Sequence, residues 1–341
     1  MPESTEVKSK PKNNSPTGTS QYRLGLSIYC WGIFIGTLLL IYTGGYTTSI
    51  MAGMVFGDWP LSNGSLNPEG WTENQAMLAE HSHRLMGMTI GFMIIGLVFA
   101  LWKWESRPWV RKLGWFALGL VIAQGLLGGA RVLKNSTEYA AMHGCLAQIF
   151  LCLLVTIALV QTRFWHRLME TTSRTGTPLQ RKLYRWGHII TGMIFVQLVL
   201  GAILRHKGVG LAIPTFPLNP EGTLIPQVWN VGIALNFAHR AMALLISLKL
   251  IWWVIKIYGA PIATGIKVLA VLVFFILFMQ VGLGMSVIYS QRLPVPTTLH
   301  VLNGAILLSM SWGLTFLFSR HRFVDAVSAP TAKETTVKAT S

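Results

Sequence analysis

The apolar residues of this chain arrive in blocks of about 20, separated by short basic or polar stretches, and that spacing constrains the fold more than any other feature. An α-helix rises about 1.5 Å per residue, so such a block matches a hydrocarbon layer roughly 30 Å thick. Eight blocks occur, at 24–46, 78–102, 111–130, 138–161, 183–205, 229–257, 265–288 and 297–319. Only 12% of the 341 residues are charged, against roughly 25% in soluble domains. The pattern predicts an all-α integral membrane protein with eight transmembrane helices.

A net charge of +16 invites a nucleic-acid reading, but the positions of the charges oppose it. Basic residues gather in alternate connections. Lys8, Lys10, Lys12 and Arg23 precede the first block, and Lys103, Arg107, Arg111 and Lys112 follow the second. Arg163, Arg167, Arg174, Arg181, Lys182 and Arg185 follow the fourth, Lys256 and Lys267 the sixth, and Arg320 and Arg322 the eighth. The opposite side holds only Arg131, Lys134, Arg205, Lys207 and Arg292, and the connection 47–77 has neither Lys nor Arg. This is the positive-inside bias, so both termini are expected in the cytoplasm, with membrane lipid rather than nucleic acid as the surrounding partner. Cys30 lies in the first block, while Cys145 and Cys152 lie about 10 Å apart along the fourth, so no disulfide framework is expected.

The chain also repeats itself. AEHSHRLMGM (79–88) matches LNFAHRAMAL (235–244), and AQGLLGG (123–129) matches MQVGLGM (279–285), both at an offset of 156. His143 pairs with His300 and DWPL (58–61) with TFPL (215–218), both at 157, and each half carries NPEG. One near-constant offset across separate matches predicts two four-helix bundles related as a parallel repeat. The expected organisation is a disordered tail at 1–22, an N-terminal half at 23–162, a linker at 163–182, a C-terminal half at 183–320 and a disordered tail at 321–341.

The repeat sorts the nine histidines. His83, His143, His239 and His300 open spans two, four, six and eight, at one depth. Paired imidazoles facing each other inside a helical bundle are the axial ligands of a haem iron. Arg84 and Arg240, one residue beyond two of them, are expected to pair with haem propionates. Gly87, Gly91, Gly125, Gly128, Gly129, Gly144 and Gly304 allow close helix approach or room for a flat ring. His81 lies about 200° around the helix from His83 and cannot face the same iron. His166 and His321 belong to the basic fringe, and His188 and His206 have no partner in the repeat. Gln124 and Gln280 match across the repeat and are read as bonds between helices.

The halves differ at one place near these ligands. Glu80 stands one turn before His83, and Asn236 holds the matching position before His239. A carboxylate beside a haem can move protons or stabilise a developing cation. It can equally form a helix ion pair with Arg84, four residues on.

Eight spans in two halves, E-x-x-H-R opening span two, His opening span four, and a second H-R and His in spans six and eight resemble the haem A synthase family over about residues 24–320. The outer segment GGYTTSIMAGMVFGDWP (44–60) is similar to that family's loop, departing from it at Thr48, Ser49, Ala52 and Met54 and lacking the Cys pair of some members. The resemblance implies an oxidoreductase that converts a ring methyl of haem O to a formyl group by successive hydroxylation, with water as oxygen source. It implies that His83 and His143 hold the substrate haem O, with Glu80 near the methyl as the catalytic group. It implies that His239 and His300 ligate a b-type haem. A bacterial cytoplasmic membrane is the expected location, for supply of an aa3-type oxidase. A haem O synthase and subunit I of the oxidase are the implied transfer partners, with a quinone or haem protein as electron acceptor and a homo-oligomer compatible. The competing readings are a di-haem b cytochrome that takes electrons from a quinol, and a haem carrier that leaves the macrocycle unchanged.

Overall fold

A computed structural model describes residues 22–172 and 175–323. It runs α1 (Leu24–Ser49), α2 (Gln75–Trp104), α3 (Pro108–Leu133), α4 (Thr137–Val160), α5 (Arg163–Glu170), α6 (Pro178–His206), α7 (Val231–Tyr258), α8 (Thr264–Tyr289) and α9 (Pro294–Phe318). Eight of these helices are long and apolar enough to cross a membrane, one for each expected block. The chain is a multi-pass membrane protein. No strand occurs among the described residues. Of the two expected tails, only Tyr22 and a short 3₁₀ turn at Arg320–Phe323 are described; the rest of both lies outside the described residues.

Most helices overrun their apolar blocks, and at α2 and α6 polar caps extend them. The Asn74 side chain accepts hydrogen bonds from the Ala76 and Met77 amides, which starts α2 ahead of its apolar run. Thr177 and Gln180 form a reciprocal capping box, followed by Pro178, so α6 begins inside the stretch read as linker. That stretch also holds α5, which block-length reasoning misses because the helix has only eight residues. Thr162 caps it, and Trp165 and Leu168, three apart, bury one face.

Two helices form the centre. In the most apolar stretch of α9, 72% of residues are buried, and in α4 61%, against 17–33% in the other six spans. Helices in lipid associate through close packing rather than hydrophobicity, and α9 supplies the small side chains this needs. A methyl placed on Gly313 would come within 3.1 Å of Leu159 on α4. The hydroxyls that come with such residues are satisfied locally: Thr315 donates to the Ser311 carbonyl at 2.8 Å, and Trp312 Nε1 donates to Thr156 Oγ1 at 2.8 Å. Around this pair, α1 packs against α2, α4 and α9, while α6 packs against α7, α9 and α4.

At the α5 end of the bundle the α2–α3 turn carries a buried ion pair. Arg107 Nη2 lies 2.7 Å from Glu105 Oε2, and Gln161 also donates to that oxygen. Burial alone would raise the Glu105 carboxyl, but the Arg107 guanidinium and amide and the Gln161 amide outweigh it and hold the group below the usual carboxylate range.

Candidate functional site

His83, His143, His239 and His300 stand near the starts of α2, α4, α7 and α9, and each ring lies against a glycine of the preceding span. A Cβ built on Gly44 would come 2.6 Å from Cε1 of His83. The corresponding distances are 3.4 Å from Gly128 to His143, 3.3 Å from Gly201 to His239 and 3.2 Å from Gly284 to His300. Glycine is therefore required beside His83, while at the other three positions a methyl would only touch or slightly press the ring.

Hydrogen bonds fix the tautomers of the first pair. The Thr43 hydroxyl donates to the Leu40 carbonyl at 3.0 Å, so it accepts from Nδ1 of His83, 3.2 Å away. Nδ1 of His143 donates to the Gln124 carbonyl at 3.1 Å. Both rings thus carry their proton on Nδ1 and keep the Nε2 lone pair free, as metal-binding histidines do. Their ring centres are 6.4 Å apart with planes at 84°. An ion held by two imidazole nitrogens at about 2 Å each leaves ring centres about 6 Å apart. In the second pair, Nδ1 of both His239 and His300 is buried without a partner. Buried orphans of this kind call for an explanation such as a missing group nearby.

All four histidines line one cavity of about 1040 Å³, above the roughly 300–1,000 Å³ of single-ligand pockets. Gly87, Gly91, Gly125 and Gly144 also line it, and a Cβ on any of them would meet nothing within 4 Å. Their missing side chains leave open space for a flat macrocycle. The facing imidazoles of His83 and His143 with their free Nε2 atoms, and this space, fit a haem; Nε2 of His300 lies 3.5 Å from Nε2 of Gln280. Among the described residues no group of three or more His, Cys, Asp or Glu gathers as a metal cluster.

The arginines next to the histidines do different work from that expected. Arg84 Nη1 donates to the Asp58 and Leu61 carbonyls, and Nη2 donates to the Phe56 carbonyl and Glu80 Oε1. Each Nη hydrogen has an acceptor, which leaves none for a propionate. Arg240 Nη1 donates to the Thr215 carbonyl and Nη2 to the Ile213 carbonyl. Asp58 and Thr215 open DWPL and TFPL, so both arginines clamp the repeated loop by its backbone. The sequence pattern missed this because backbone carbonyls have no residue signature.

Glu80 lines the cavity and is 4% exposed. Its Oε1 takes the Arg84 contact at 2.6 Å, and its Oε2 accepts the Val55 amide at 2.7 Å and the Phe56 amide at 3.2 Å. The helix ion pair is thus present, with the carboxylate also anchoring the outer loop. Asn236 does the matching work with opposite polarity, its Nδ2 donating to the Gly210 carbonyl at 2.8 Å.

Gln124 and Gln280 bond between helices, Nε2 donating to the carbonyls of His143 (3.2 Å) and His300 (3.1 Å), and both also line the cavity. Gln197, which sequence reasoning overlooked, does the same for His239 at 2.9 Å. His81 turns away from the cavity, bonding Ser62 Oγ and the Leu66 carbonyl through its two nitrogens. His188 stacks edge-on with Tyr184, and His166 with Tyr22. His206, without a partner in the repeat, reaches the cavity lining. So do Arg131, Arg205 and Arg292, which the sequence offered only as exceptions to the charge bias.

Eight membrane-crossing helices around a shared cavity lined by four histidines define a polytopic membrane protein with room inside it for a large flat ligand. A sequence profile of the cytochrome oxidase assembly protein family matches residues 27–312, and the chain belongs to that family. Heme A synthase from Shouchella clausii is 27% identical over 302 residues, covering 84% of this chain and 95% of the relative. That from Alkalihalophilus pseudofirmus is 29% identical over 307 residues, covering 86% and 98%. That from Symbiobacterium thermophilum reaches 32% over 227 residues, covering 63% and 71%. These matches do not favour the quinol cytochrome.

Proposed function

We propose that this chain is a haem A synthase serving cytochrome oxidase assembly. The observation that carries the reading is the convergence of His83, His143, His239 and His300 on one cavity, in a chain similar over most of its length to heme A synthases. The substrate is haem O, and one ring methyl becomes a formyl group. Each of two hydroxylations takes oxygen from water, releases two protons and passes two electrons to an acceptor of the quinone or haem-protein class. Loss of water from the doubly hydroxylated carbon then leaves the aldehyde.

In this reading His83 and His143 orient the substrate, their Nδ1 protons anchored on Thr43 and Gln124 so that Nε2 faces the iron. Glu80, fixed by three donors at the cavity wall, holds the attacking water and accepts its proton. His239 and His300 hold a b-type haem, which when bound supplies the exit for electrons. Arg84 and Arg240 keep the outer loops seated over the two sites. Four glycine–histidine contacts in matching places support two halves, residues 23–162 and 183–320, related as a parallel repeat. The basic connections support cytoplasmic termini in a bacterial inner membrane. Haem O synthase and oxidase subunit I are the proposed transfer partners.

The test is co-expression with a haem O synthase in a host that makes no haem A, followed by chromatography of extracted haem. Haem A is the expected product. Its absence from folded, haem-containing preparations overturns the reading.

A further inference from the structure

Only five Lys and Arg residues fall on the sparsely charged side of the chain, and three of them, Arg131, Arg205 and Arg292, line the cavity. They come from the C-terminal ends of α3 and α6 and from the α8–α9 turn. Arg205 lies within electrostatic reach of both others. The direct ion pairs among the described residues are Glu80–Arg84 and Glu105–Arg107, so none of the three arginines forms one there, although Glu80 lies within electrostatic reach of Arg131. Like charges gathered beside an apolar cavity repel each other until an anion joins them.

Their register points to where that anion sits. Arg131 follows Gly128, the glycine against His143, by three residues, and Arg205 follows Gly201, the glycine against His239, by four. Each guanidinium therefore springs from the same helix face as a histidine contact, one turn nearer the helix end. One donor of Arg131 is tied down, Nη2 to the Gly53 carbonyl, and two of Arg205, both from Nη2, to the Gly45 carbonyl and Ser49 Oγ. The remaining donors are available. The Arg292 guanidinium makes no hydrogen bond among the described residues.

The backbone at Arg292 is a second, independent sign. Its φ is +66°, directly after Gln291 at +51°, whereas the turn after α3 has one left-handed residue, Asn135 at +46°, in the place of Gln291. Asparagine enters this left-handed region readily and arginine does not. The counterpart of Arg292 is Ser136, at φ −110°, so the left-handed arginine is peculiar to the second half, where its side chain lines the cavity.

We infer that Arg131, Arg205 and Arg292 form a carboxylate-binding cluster at one mouth of the cavity, which takes the propionates of the porphyrins held by the histidines. Arg131 serves the His83–His143 site, Arg292 the His239–His300 site, and Arg205 bridges them. This rests on the reading of those histidines as haem ligands, and it takes over the role expected for Arg84, whose Nη hydrogens are all engaged by the loop and Glu80.

The test titrates the purified full chain in detergent with ferric protoporphyrin IX and with its dimethyl ester, followed by Soret absorbance. The wild-type chain is expected to bind the free acid about 10–100-fold more tightly than the ester, the effect of losing charge-assisted hydrogen bonds. Arg292→Asn removes the guanidinium while keeping a residue that tolerates the left-handed backbone, and Arg205→Gln is an independent second variant. Each is expected to weaken binding of the free acid about tenfold and leave the ester unchanged. Equal wild-type affinity for the two porphyrins, or variants that keep the full preference for the acid, overturns the cluster while leaving the histidine ligands standing. Binding of both porphyrins that is indifferent to His83→Ala and to His239→Ala instead overturns the haem reading, and the cluster with it.

Discussion

The first four spans and the last four seat their histidines by the same device and fasten their outer loops by opposite ones. On both sides a glycine of the preceding helix lies against the ring, and an arginine beside one histidine clamps the loop that leads into its own helix by that loop's carbonyls. The polarity then diverges. Glu80 receives the Val55 and Phe56 amides, whereas Asn236 gives its own amide to the Gly210 carbonyl. Either side chain fastens a loop, so fastening alone does not require a carboxylate. The difference teaches that the first site keeps a buried carboxylate at its wall, paired with Arg84, where the second fastens its loop with a neutral amide.

The largest effect that could break this comparison comes from the histidines. His83→Ala is expected to abolish conversion of haem O, by at least about 100-fold, while the b-type haem stays bound; His239→Ala is expected to remove that haem. Chromatography of extracted haem and the absorption spectrum of the purified protein check both. A spectrum altered equally by the two variants would erase the distinction between the sites.

Glu80→Gln is next. It leaves Arg84 in a buried place without its counter-charge, a change that costs about 3–5 kcal/mol when one partner of a buried pair is removed. We expect lost conversion together with a lowered Tm, whereas Asn236→Ala should lower the Tm by only the equivalent of about 1–3 kcal/mol, that of a buried carbonyl left unpaired. Thermal unfolding and product analysis of the two variants side by side decide whether the asymmetry is chemical or only structural.

Glycine replacements sharpen the comparison further. A methyl at position 44 would meet His83 at 2.6 Å, but one at 201 would meet His239 at 3.3 Å. Gly44→Ala is therefore expected to weaken haem binding at the first site about tenfold or more, in line with overpacking penalties of roughly 1–3 kcal/mol, and Gly201→Ala to change the second far less. Haem titrations followed by absorbance give both numbers.

The smallest effect concerns the Glu105–Arg107 pair. Its carboxyl is held below the usual range, so the stabilisation is present above the unfolded value near 4.3 and is lost as pH falls through the lower folded value. Unfolding midpoints measured from pH 6 down to pH 3 should fall faster for the wild type than for Glu105→Gln.

Legibility followed range along the chain. Block length alone located all eight spans, since a helix must cross the bilayer whatever its neighbours do. The four histidines were legible because the repeat marks them, and the glycines beside Gln124 and Gln280 lay in the same matched strings. What was not legible depended on contacts between distant segments. Arg84 and Arg240 were read as propionate partners because a cation next to a ligand suggests one, yet the loop carbonyls that occupy them lie more than twenty positions away. Gln197 has no matching glutamine in α1, where Leu40 stands in its place, so the repeat could not reveal it. Arg131, Arg205 and Arg292 meet only once α3, α6 and the α8–α9 turn are brought to one cavity.

The most direct test of the central claim is the haem content of two paired variants purified from cells that also make haem O. The account predicts that His83→Ala/His143→Ala protein carries a b-type haem but neither haem O nor haem A. It predicts that His239→Ala/His300→Ala protein lacks the b-type haem and still binds haem O. Haem O retained by the first protein, or a b-type haem retained by the second, would contradict it.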